Sequence, residues 1–129
     1  MASRIILERT TIMRARIYQF PMMLSAYDRP LRFSPRLDSQ EWKDSSERLV
    51  RQTRIPSSVE LIWAILYFDE RPSLDVSTST LAISPTEKVD WDLLETKLCS
   101  EIHTVYGYRQ VHIHPNEKDI CRDLITWPI

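Results

Sequence analysis

Glycine and asparagine are nearly absent from this chain: among 129 residues, Gly107 and Asn116 are the only ones. Ordinary usage would bring roughly nine glycines. Glycine-rich phosphate loops need backbone that approaches a ligand closely and adopts positive φ, so one glycine cannot build them. P-loop, Rossmann dinucleotide and glycine-rich kinase loops are therefore excluded. Long apolar runs are missing too. The longest, Leu61 to Phe68, has eight residues, whereas a membrane-spanning helix needs about 20. The apolar stretch near Met1 is too short for a signal peptide, and Ala2 in place of glycine excludes myristoylation there. Asn116 is followed by Glu117 and Lys118, so no glycosylation acceptor exists. Cys99 and Cys121 are the only cysteines; they read either as a disulfide or, in a reducing compartment, as two buried thiols, the latter pointing to the cytoplasm or nucleus.

What is present fits a single α+β domain over residues 1–129, with 43% hydrophobic and 27% charged residues; residues 4–8 read as a short preceding strand or as part of an N-terminal arm over 1–10. Net charge is −1 but unevenly placed. Residues 1–36 carry seven arginines against Glu8 and Asp28, a net of +5, and the remainder carries −6. Arginine's planar fork suits phosphates and carboxylates. These arginines either pair with acids of the same fold or form an anion-facing surface.

Along the chain, alternation over 12–20 predicts a strand, with Met13, Ala15 and Ile17 on one side and Arg14, Arg16 and Tyr18 on a wet face. A long loop with Pro21, Pro30 and Pro35 follows over 21–37. Asp38-Ser39-Gln40-Glu41 resembles a capping box before a helix over 39–53. The apolar run from Val59 to Phe68 predicts a strand covered on both faces. A turn over 69–73 leads to a strand over 74–83. Trp91, Leu94, Leu98, Ile102 and Val105 mark a helix over 90–106, with Asp90 and Asp92 at its positive end and Gly107 at its C-terminal stop. A strand over 108–114 ends at Pro115. Asn116 then precedes a terminal helix over 117–125, with Trp127-Pro128-Ile129 as an apolar tail. The order β-α-β-β-α-β gives a ferredoxin-like antiparallel sheet with helices on one face and a short C-terminal helix. A second strand apolar on both sides then calls for cover by the terminal helix, the N-terminal arm or another subunit, and the last makes Trp63, Ile65 and Tyr67 the self-association residues of a homo-oligomer.

Chemistry-bearing clusters are sparse. His112 and His114 form an H-x-H pair that can chelate a metal, but a third ligand is wanting. No G-x-S-x-G elbow exists, and the carboxylates of Asp90, Asp92 and Glu95 are explained by capping and helix solubility. No cofactor is implied. A small α+β-barrel enzyme would use a pocket with Tyr108, His112 and Tyr67. An open sheet face carrying Arg14, Arg16, Tyr18, His112 and His114 can meet nucleic acid, although the RNA-recognition-motif pattern is absent and the pI of 6.3 is not basic. An anionic membrane surface would attract the same arginines. The order of a strand, an Arg/Pro-bearing loop, a Trp-bearing helix and an apolar strand is similar to that of small viral matrix proteins, and the resemblance implies an accessory or assembly role; neither P-P-x-Y nor P-T/S-A-P is present. The expected function is binding without catalysis: a self-associating protein presenting Arg14, Arg16, Arg29, Arg32 and Arg36 to nucleic acid, an acidic protein or a membrane surface.

Overall fold

In a computed structural model describing residues 3–116, six strands form one mixed sheet. The strands are β1 (Arg4–Ile12), β2 (Ala15–Gln19), β3 (Leu31–Phe33), β4 (Ser73–Val76), β5 (Thr80–Ser84) and β6 (Gln110–Pro115); the helices are α1 (Gln40–Arg51), α2 (Pro56–Leu66) and α3 (Trp91–Tyr106). The sheet order is β3-β4-β5-β2-β1-β6, antiparallel throughout except for the parallel pair β1–β6. The fold is α+β, but its strand count and order differ from the ferredoxin-like arrangement.

The largest correction is α2. Val59 to Phe68, expected as a strand, lies mostly in this helix. Its buried residues are Ser58, Leu61, Ile62, Ile65 and Leu66, spaced by three and four along one stripe. Pro56 sits in the first turn, where its missing N–H is no loss and its fixed φ is already helical. The same Ile55-Pro56 pair that ends the preceding segment thus begins the next. A helix packed between α1 and α3 is covered on several sides, which explains an apolar run without strand alternation.

Two further strands are hairpins. Of the two readings of the N-terminal segment the strand is the observed one: residues 4–12 form β1, longer than the 4–8 expected, and pair with β2 across a two-residue turn, Met13-Arg14, flanked by the pair Ile12–Ala15. Residues 74–83 split at Ser77-Thr78-Ser79, a loop whose carbonyls accept from Phe20 and Leu24 amides at 2.8 and 2.5 Å. The 21–37 segment contributes the short edge strand β3. α1 is capped by Ser39, which accepts from the Trp42 amide, and not by Asp38. α3 matches its expected span, with Asp90 capping and Gly107 at φ 78°. The expected terminal helix and tail lie outside the described residues.

One face of the sheet is buried. Cross-strand rows Tyr18–Leu81–Val76–Leu31 and Ile83–Leu74–Phe33 run beneath the helices, joined by Ile5 and Leu7 of β1. The opposite face carries the row Thr10–Ile17–Ala82–Asp75–Arg32, mostly small or polar. The apolar run that called for a covering subunit is not in the sheet, and Ile65 is 0% exposed inside the helical layer.

Candidate functional site

The faces of β2 are the reverse of the expected ones. Ile17 lies on the open face, whereas Arg16 and Tyr18 point beneath α3, and Tyr18 is 0% exposed. A polar stripe can face inward because α3 supplies an acceptor. Glu95 takes hydrogen bonds from Arg9 at 3.2 Å, Arg16 at 2.9 Å and the Tyr18 hydroxyl at 2.8 Å. Two guanidiniums and a phenol thereby satisfy a carboxylate that is itself mostly covered. Burial, and after it the Glu95 charge, push the Tyr18 hydroxyl well above its ordinary range. Glu95 is thus no helix-solubilising residue. Its signal in the sequence was indirect: Arg16 and Tyr18 at a two-residue spacing share a strand face that needs an anion from elsewhere.

Arg16 extends this cluster outward. Its guanidinium lies over the Trp91 ring, 4.6 Å from the centroid, a cation–π contact. Trp91 in turn lines a cavity of about 520 Å³ between the β1–β2 turn and the segment leading into α3; Met13, Arg14, Pro85, Glu87, Lys88 and Val89 complete it. Arg14 and Lys88, both exposed, make no ion pair among the described residues. Met13 is 93% exposed and holds φ 56°. A left-handed, non-glycine residue costs about 1–2 kcal/mol, and here the two-residue turn between β1 and β2 imposes it. The Asp90 carboxylate already accepts from the Asp92 and Leu93 amides, so the start of α3 has spent those donors.

The other arginines are dispersed. Arg29 is exposed in the β2–β3 connection. Arg32 sits on the open face, bonded to Asp75 at 2.9 Å. Arg36 donates to the Tyr67 carbonyl at 3.2 Å, lies over the Tyr67 ring at 5.4 Å and approaches Asp38 at 3.7 Å. Of the five arginines expected to form one surface, only Arg14 and Arg16 share a neighbourhood.

Trp63 and Tyr67 meet Trp42 in an aromatic cluster with centroids 5.9–6.0 Å apart. They border a groove of about 340 Å³ with Gln40, Lys43, Asp44 and Glu47. His112 and His114 project from β6 on the open face, opposite to Arg16 and Tyr18, with ring centroids 6.1 Å apart. No group of three metal-capable side chains occurs among the described residues. Tyr108 stacks near Tyr106, and its carbonyl meets His103 Nδ1. Tyr67, Tyr108 and His112 do not line a common cavity among those described. Burial raises the Cys99 thiol pKa, helped by Glu95. Among the described residues no helix is long and apolar enough to cross a membrane. Comparison with protein-family models, curated proteins and solved structures finds no match to this chain.

Proposed function

We propose that this protein is a binding module, not an enzyme, and that it meets an anionic partner at the end of the sheet where β1 turns into β2. The observation that carries this reading is the pairing of two uncommitted cations, Arg14 and Lys88, with an apolar-walled cavity and a strained, exposed Met13. Three of the five expected arginines are engaged within the fold, Arg16 by Glu95, Arg32 by Asp75 and Arg36 by Tyr67 and Asp38, and Arg29 is exposed in the β2–β3 connection. Arg14 and Lys88 are the two cations that line this cavity. The anionic partner thus meets one end of one hairpin, not a surface of five arginines.

The test is a salt series with tripolyphosphate, a simple polyanion, as the titrant. Binding that weakens as ionic strength rises and drops at least tenfold in Arg14→Glu/Lys88→Glu supports the reading. Equal binding by the parent and the double variant refutes it. Light scattering of the same samples reads the oligomeric state, for which the helical position of Ile65 removes the sheet-face rationale.

A further inference from the structure

We propose that the cavity beside Trp91 takes a nucleotide, with the base against the indole and the phosphate between Arg14 and Lys88. This rests on the anion reading above and specifies its ligand.

Four features select this chemistry. First, the aromatic wall is prearranged. Arg16 sits on Trp91, Glu95 holds Arg16, and Arg9 and Tyr18 hold Glu95. A ring fixed before binding loses little freedom when a flat base settles on it. Second, the phosphate must be held by side chains. The chain has one glycine, far along at Gly107, and Asp90 occupies the amides at the start of α3. Arg14 and Lys88 are the donors left. Third, Glu87 lines the same cavity. A carboxylate there accepts from a ribose hydroxyl or an exocyclic amino group, and it opposes close approach of an anionic bilayer. Fourth, the volume of about 520 Å³ lies within the range of small-molecule pockets. A net charge of −1 is unsuited to coating a long polyanion, so the site reads one nucleotide, free or within a short single strand. Met13 stands at the rim, where its unbranched thioether can cover the exposed edge of the base.

Calorimetric titration of the full chain with ATP, AMP, a six-nucleotide single strand and tripolyphosphate tests the inference. ATP is expected to bind at least tenfold more tightly than tripolyphosphate. Trp91→Leu is expected to weaken ATP about tenfold, the scale of one stacked base, and to leave tripolyphosphate unchanged. Trp91→Phe keeps a ring under Arg16 and guards against loss of folding; it should retain most ATP affinity. Arg14→Glu should weaken both titrants. Tighter binding by the strand than by AMP identifies a polymer end or segment as the source; equal binding identifies the free nucleotide. Equal affinity for ATP and tripolyphosphate, or an unchanged ATP affinity in a folded Trp91→Leu, overturns the nucleotide inference and leaves the anion reading standing. Absence of binding to every titrant overturns both.

Discussion

Tyr18 and Glu95, 77 positions apart in sequence, are joined by a 2.8 Å hydrogen bond from the tyrosine hydroxyl to Oε2 of the carboxylate. The bond ties the third-from-edge strand of the sheet to the first turns of α3. Because Arg9 and Arg16 close on the same carboxylate, one side chain on the helix fixes two strands at once. Replacing it leaves two guanidiniums and a phenol short of an acceptor. Glu95→Gln is therefore expected to lower unfolding free energy by about 2–3 kcal/mol, and Tyr18→Phe by about 1 kcal/mol. Denaturant titrations measure both. Equal, negligible losses would show that the cluster contributes no net stability.

Alkaline pH should expose the same bond. Burial and Glu95 raise the Tyr18 pKa above its ordinary value of 10.0. A raised folded value means that the contribution is fully present below pH 10.0 and is lost as pH climbs above it, because the unfolded chain releases its proton first. Stability measured by urea titration should fall above that pH in the parent chain, and Tyr18→Phe should show a shallower decline. Parallel curves would contradict the assignment.

Left-handed backbone offers a second measurable set. Arg54 holds φ 60° without being glycine, whereas Gly107 holds φ 78° and a Cβ there would meet nothing within 4 Å. Arg54→Gly should gain about 0.5–1 kcal/mol, and Gly107→Ala should lose about 1 kcal/mol from backbone strain alone. Thermal melts of the two variants should move in opposite directions.

Alanine substitution along α2 reads its periodicity. Leu61, Ile62, Ile65 and Leu66 are buried, and Glu60 is exposed. Leu61→Ala and Ile65→Ala should each lose about 2–5 kcal/mol, Glu60→Ala almost nothing. Loss at every second position instead would describe a strand and contradict the helix.

α3 was legible at both ends, because Asp90, Gly107 and a three-and-four spacing all act locally. β6 and the body of α1 were legible for the same reason. α2 was not, since periodicity in a short apolar run does not separate a helix buried on several sides from a covered strand; the decisive clue, Pro56 in a first turn, also serves as a breaker. The Met13-Arg14 turn was hidden because the favoured glycine is absent and methionine accepts the strain. The inward stripe of Arg16 and Tyr18 depends on Glu95, nearly eighty residues away, which no local pattern reports. Polarity along β2 suggested water where the fold supplies a carboxylate.

The parallel pair β1–β6 joins residues 4–9 to residues 110–115. During synthesis β1 must wait for β6, about a hundred residues later, to emerge before its second edge is closed. Until then the growing polypeptide carries a ladder of unmet amides beside Ile5 and Leu7, a template for sticking to other chains. Emergence of residues 110–115, more than any local nucleation, sets the moment at which this edge is covered.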